Sequence, residues 1–111
     1  MREEVEERIV IHDIVQSNLA GSRQSAEIIR ETIYQHIQMG KKVVLDFKGI
    51  DLITQGFADE LIGIFVRAFG VDFVKENISV INANKTIRKI LNVVVSYSKQ
   101  PQTPTPSLPT L

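Results

Sequence analysis

The residues best suited to chemistry are four carboxylates close together in the middle of the chain: Asp46, Asp51, Asp59 and Glu60. Clustered carboxylates can hold a hard cation such as Mg²⁺ or carry a phosphoryl group. Asp46, Asp51 and Asp59 therefore define one reading, a small Mg²⁺-dependent phosphotransfer or hydrolytic domain. The opposing reading is structural: Asp59 and Glu60 complement the positive end of a helix, and Asp51 satisfies turn amides. Two histidines, His12 and His36, have no partner at a spacing that would make them a catalytic or ligand pair, so a structural role is expected of both. The cations Lys85, Arg88 and Lys89 fall on one helical face opposite an apolar stripe and read as a solvated face. The chain has no cysteine. That removes thiol nucleophiles, thiolate metal sites and disulfides, and it suits a reducing compartment. No GxSxG, GxGxxG or GxxxxGK[ST] pattern is present, so neither an acyl-transfer elbow nor a phosphate-cradling loop is indicated. The inventory indicates a non-enzymatic protein, with no catalytic residue, metal or cofactor.

The elements that would position these groups follow from periodicity. Ile9-Val10-Ile11-His12-Asp13-Ile14-Val15 is β-branched and of strand length, and residues 16–21 read as a polar loop. Ser22 is placed to cap a helix in which Ala26, Ile29, Ile33 and Ile37 recur at intervals of three and four, until Gly40 ends it. Val43-Val44-Leu45-Asp46-Phe47 is an apolar run without alternation, as in a central strand covered on both faces. A second helix is expected from about Gly56 to Gly70. Ile78-Ser79-Val80-Ile81 forms a third strand. A last helix, capped by Asn82 or Asn84, carries Ile87, Ile90, Leu91 and Val94 on its inner face. The order β-α-β-α-β-α defines an α/β fold with a largely parallel or mixed sheet packed by helices.

At 111 residues the chain is one domain, expected over 1–98. Residues 99–111 hold all four prolines (Pro101, Pro104, Pro106 and Pro109) among Thr, Gln and Ser, and are expected to be a flexible, partly polyproline-II tail. Thirteen basic and thirteen acidic residues cancel. No global field draws in nucleic acid or an anionic membrane, and no apolar run is long enough to span a bilayer. With an acidic N-terminus unlike a signal peptide, a cytoplasmic location is expected. In the second helix, the polar positions Asp59, Glu60, Gly63 and Arg67 fill a narrow arc of the helical wheel. The apolar remainder covers on the order of 200°, wider than one core requires. Phe57, Ile64 and Val66 at its edges are thus expected to be partly exposed, and to suit a partner or a homodimer.

The stretch Val43-Val44-Leu45-Asp46-Phe47-Lys48-Gly49-Ile50, continuing through Ile53-Thr54-Gln55-Gly56 to Phe57-Ala58-Asp59-Glu60-Leu61, resembles the STAS-like family of unassigned function, a relative of the anti-sigma factor antagonists. The Gly21-Ser22-Arg23 helix entry, the strand ending Val80-Ile81-Asn82-Ala83-Asn84 and the closing helix through Ile90-Leu91 are similar to that family too. The resemblance implies a regulatory protein-interaction domain that docks on a histidine-kinase-like ATPase or another anti-sigma factor-like protein. Docking would use the loop and helix at 51–66: Asp51, Thr54, Gln55, Gly56, Phe57, Asp59, Glu60 and Ile64. In antagonists the partner phosphorylates a loop serine and so breaks the complex. Here Gly56 stands at that position. Thr54 is the one hydroxyl between Lys41 and Glu76, which makes it the candidate phosphoacceptor, although its oxygen is equally placed to cap the helix.

Overall fold

The computed structural model describes residues 5–99. Apart from Lys99, the Pro-rich stretch lies outside the described residues. Three strands, β1 (Val5–Val10), β3 (Lys41–Asp46) and β5 (Ile78–Ile81), form a parallel sheet in the order β1-β3-β5, which makes β3 central as its apolar run predicts. A second, two-stranded parallel sheet joins β2 (Leu19–Ala20) to β4 (Leu52–Ile53), inside stretches that read as loop and turn. Two-residue strands are too short to show a period, and only their paired partners identify them.

The first strand is offset from expectation. It begins at Val5, and Ile11–Val15 coils into a short helix, α1. Ile11 is buried and His12, Asp13 and Ile14 are exposed, a helical rather than an alternating distribution. The β-branched run thus turns helical because only Ile11 and, in part, Val15 reach the core.

Helix α2 (Arg23–Gln38) follows the sequence pattern. The Ser22 hydroxyl accepts from the Ser25 N–H at 3.2 Å, Ala26, Ile29 and Ile33 are buried, and the helix ends at Met39–Gly40. The second long helix is a composite rod over 55–69: α3 (Gln55–Ala58), a π-helical turn (Asp59–Gly63) and α4 (Ile64–Phe69). Gly70 turns the chain into α5 (Val71–Asn77), whose seven residues carry too short a pattern for a sequence expectation. Asn84 caps α6 (Lys85–Ser98) by accepting from the Ile87 N–H at 2.8 Å, while Asn82 adopts a left-handed conformation before it.

Both crossovers, β1 to β3 and β3 to β5, advance the same way across the sheet, so right-handed connections lay α2 and the rod on one face. Burial along β3 agrees. Val43 and Leu45 are buried while Lys42 and Val44 are only half-covered. The expectation of a strand fully covered on both faces is therefore corrected. The core is Leu45, Phe47, Ile29, Ile33, Phe57, Leu61, Phe65, Ile87 and Val94 with their neighbours, gathered between that face and the helices.

Candidate functional site

The loop from β3 to the rod is fixed by backbone bonds. The Ile50 N–H donates to the Phe47 carbonyl, the Asp51 and Leu52 N–H groups share the Asn18 carbonyl (2.7 and 3.3 Å), and the Thr54 N–H donates to the Ala20 carbonyl at 3.1 Å. Asn18 also donates through its side chain to Asp51 Oδ2, and Asn84 Nδ2 donates to the Asp51 carbonyl, both at 2.9 Å. The loop is thus tied to both neighbouring segments. Because side chains alternate along the β2–β4 pair, Ala20 and Ile53 go inward and their register neighbours Leu19 and Leu52 outward. Leu19 is 47% and Leu52 44% exposed, side by side. These two leucines were not recognised from sequence; the signal that could have found them is the apolar pairs Leu19-Ala20 and Leu52-Ile53 within otherwise polar connections.

Thr54 caps the rod: its hydroxyl accepts from the Phe57 N–H at 3.1 Å and lies 3.5 Å from the Gly21 carbonyl. The residue is exposed, as are Asp51 and Gln55. Gly56 is overlaid by the Arg23 guanidinium, where a Cβ would lie 3.2 Å from Nη2. A side chain at this position would have to displace that arginine. Arg23 Nη1 continues to Glu60 Oε1 at 3.3 Å, and Arg30 binds the same carboxylate through Oε2 and the Glu60 carbonyl at 3.1 Å. Glu60 thereby clamps α2 to the π turn.

Asp59 faces the other way, toward α6. Arg67 donates to both its oxygens, at 2.8 and 3.2 Å, and also to Ser98 Oγ at 2.9 Å, while the Tyr97 hydroxyl donates to Asp59 Oδ1 at 3.3 Å. The Arg67 hydrogen bonds, reinforced by its charge, hold the Asp59 carboxyl below its usual range against the opposing effect of burial. In a uniform α-helix Arg67 would sit roughly 80° around from Asp59 at about 100° per residue. The π turn, in which the Ile64 N–H reaches back five residues to the Asp59 carbonyl, adds one residue to the turn. It rotates the following residues back by about that same 100°, bringing the pair into line. Gly63 lies between them, where a Cβ would stand 2.6 Å from Asp59 Oδ1 and 3.0 Å from Val94 Cγ1.

That rotation carries Val66, expected at the edge of the apolar arc, into the core, while Phe57, which precedes the turn, is buried independently of it. Phe57 is 0% exposed and Val66 is buried with it, so neither side chain is available to a partner; of the three expected edge residues, Ile64 alone is half-buried. A wheel drawn at constant pitch sets Val66 about one residue's angle out of phase, at the edge of the apolar arc instead of within it.

The carboxylates do not form the cation site that their proximity in sequence suggests. Among the described residues, no group of three or more His, Cys, Asp or Glu side chains could hold a metal ion. Asp46 is buried at the end of β3, where Oδ1 accepts from Asn82 Nδ2 and the Lys48 N–H, both at 2.9 Å, and Oδ2 faces Arg8 Nε at 3.5 Å. The Asn82 bond first, then the Lys48 N–H, holds its carboxyl below the usual value despite burial. Asp51 is committed to Asn18 and Asp59 to Arg67. On the far helix, Arg88 donates to the Ala83 and Val80 carbonyls, while Lys85 and Lys89 are exposed, as a solvated face requires.

A parallel α/β sheet packed by helices, with a capped loop and rod after its central strand, is the architecture that the sequence resemblance implies. Residues 25–88 match the family described as STAS-like domain of unknown function (DUF4325). The chain belongs to that family. No curated protein and no solved structure matches it at a significant level. Among the described residues, no helix is long and apolar enough to cross a membrane.

Proposed function

We propose that this chain is a non-catalytic, cytoplasmic regulatory domain that docks on a histidine-kinase-like ATPase or another anti-sigma factor-like protein. The contact surface is the end of the molecule where the loop meets the rod: Asp51, Leu52, Thr54 and Gln55, with Leu19 beside them. The observation that carries this reading is the Leu19–Leu52 pair. Two large apolar side chains stand exposed together on a loop anchored by backbone bonds on both sides. Anchored loops keep the entropy cost of docking low, and adjacent apolar side chains rimmed by polar groups are the usual core of a small interface. Glu60 and Asp59, turned toward α2 and α6, act by holding the rod in place rather than by touching the partner. Ile64 lies farther along the rod, in the wall of the groove between α2 and α4 and away from this surface.

Thr54 is the residue in this surface that a partner kinase would modify. The residue is exposed, and a phosphate on its hydroxyl would bring about −1.5 to −2 charges into the loop that carries Asp51, disfavouring a desolvated contact. The test is binding of the full chain to the histidine-kinase-like ATPases encoded near it. Leu52→Asp should weaken capture at least tenfold while leaving the fold intact, and unchanged capture would remove this surface from consideration.

A further inference from the structure

The three long helical elements run side by side in the same direction. Arg23 lies over Gly56 at the start of the rod and Tyr34 meets Phe69 at its end, while Asn84 reaches the Asp51 carbonyl at one end of α6 and Ser98 is bonded to Arg67 at the other. Leaving the carboxyl end of β5 through residues 82–84, α6 therefore runs back beside that strand. Strands β1 and β5 are the two edges of the larger sheet, and they differ. Glu6, Glu7 and Arg8 charge the middle of β1, which disfavours pairing with a further strand. Ile78-Ser79-Val80-Ile81 carries no charge. The Phe47 N–H donates to the Ile81 carbonyl. Because sides alternate along a strand, Ser79 and Ile81 turn their backbone groups toward β3, and Ile78 and Val80 turn theirs outward. The Ile78 N–H closes α5 by donating to the Val74 carbonyl. The Val80 carbonyl holds Arg88 Nη2 at 3.5 Å, near the outer limit of a hydrogen bond. Among the described residues no strand pairs with this edge.

Between β5 and α6 lies a hollow of about 170 Å³ walled by Ile62, Val74, Ile78, Val80, Leu91 and Val95; Arg88 and Asn92 complete it. Ile78 and Val80 face it because they are in register with the buried Val43 and Leu45, on the helix side of the sheet. Arg88 and Asn92 also line an adjoining hollow on α6, together with Lys85 and Lys89. No acidic side chain lines either one. A strand added to β5 would present every second side chain to this groove. One such position meets the aliphatic wall, and the next, toward the carboxyl end of β5, meets Arg88 and Lys85. A carboxylate there exchanges the long guanidinium–carbonyl contact for a charge-assisted bond, and the added backbone N–H takes over the Val80 carbonyl. Residues 100–111 do not suit this edge, having no acidic side chain and four prolines, which cannot donate to a ladder. A second copy paired across β5 would bring two Lys85-Arg88-Lys89 clusters to one seam, where they repel.

We infer that β5 and α6 form a peptide groove, which accepts as a fourth strand an extended segment of another protein carrying an aliphatic residue and, two positions away, an acidic one. The backbone of Val80 supplies the pairing, the β5–α6 hollow selects the aliphatic side chain, and Arg88 with Lys85 selects the carboxylate. The groove is a contact separate from the Leu19–Leu52 loop and does not depend on it.

The probe is the capped peptide Thr-Glu-Thr-Ile-Thr-Glu-Thr, whose pattern reads alike in either strand direction, titrated into the full chain while amide resonances are followed. Shifts should concentrate at Ile78, Val80, Arg88 and Asn92 and spare Leu19 and Leu52, and Leu52→Asp should bind the peptide as the parent does. Lysine in place of both glutamates, or N-methylation of the central amides, should each weaken binding at least tenfold. Arg88→Glu changes an exposed side chain and should keep its circular dichroism spectrum, while its preference between the glutamate and lysine peptides reverses. Shifts that are absent or spread evenly over the surface, equal binding of the N-methylated peptide, or an unchanged preference in Arg88→Glu would each overturn the inference. So would shifts at Ile78 and Val80 that follow protein concentration without peptide, as from a second copy.

Discussion

The carboxylate of Asp46 is buried yet held ionised by two neutral donors and an arginine 3.5 Å away. Its pKa, like that of Asp59, is lowered in the folded chain from an ordinary value of 3.8. A carboxyl depressed by folding contributes stability that is complete above its unfolded value and is lost as the pH falls through the folded one. The thermal midpoint should therefore fall as the pH drops below about 4. Asp46→Asn should show a shallower fall, measurable by circular dichroism melts across that range. At neutral pH, Asp46→Ala leaves the Asn82 amide and the Lys48 N–H without their acceptor and should cost about 1–3 kcal/mol. Leu52 and Phe57 separate stability from binding at the same scale. Leu52→Asp changes an exposed side chain and should stay within about 0.5 kcal/mol of the parent in urea unfolding. Phe57→Asp puts a charge into a closed core, and loss of the native spectrum is the expected result.

At the scale of elements, the caps and the π turn decide how the rod is set. Thr54→Ala removes an N-cap acceptor and should cost about 1 kcal/mol. The same variant should abolish the mass gain of one phosphoryl group after incubation with partner and ATP; a gain that persists would sink the assignment of Thr54. Gly63→Ala drives a methyl against Asp59 and Val94 and should destabilise by about 1–3 kcal/mol, read in denaturant melts. Most of this level was legible in the sequence. Ser22 and Asn84 lie at their caps, Gly40 closes α2, and the Val43–Phe47 run lies in the middle of the sheet. What could not be read depends on distant partners or on a change of pitch. The two-residue strands exist only through each other, α1 brings only Ile11 and part of Val15 to the core, and the π turn shifts the wheel on which Val66 seems peripheral. The candidate site was legible in its polar residues, Asp51, Thr54 and Gln55, whereas the leucines beside them emerge only from strand register.

For the molecule as a whole, a single core links β3 to α2, the rod and α6. Unfolding should accordingly be one cooperative transition. Hydrogen exchange gives the check: the amides of Val43 and Leu45 should be the slowest, exchanging only through global opening, and those of α1 among the fastest. The parallel run of the three long helical elements has a further consequence. Their N-termini, capped by Ser22, Thr54 and Asn84, converge around the loop that holds Leu19 and Leu52, so the peptide dipoles add instead of cancelling. A chain with zero formal charge is in this way electrically polarised, with its positive pole at the end proposed for docking. If a partner presents an acidic surface, it would be turned toward that pole before contact, and its association rate should drop as added salt screens the field.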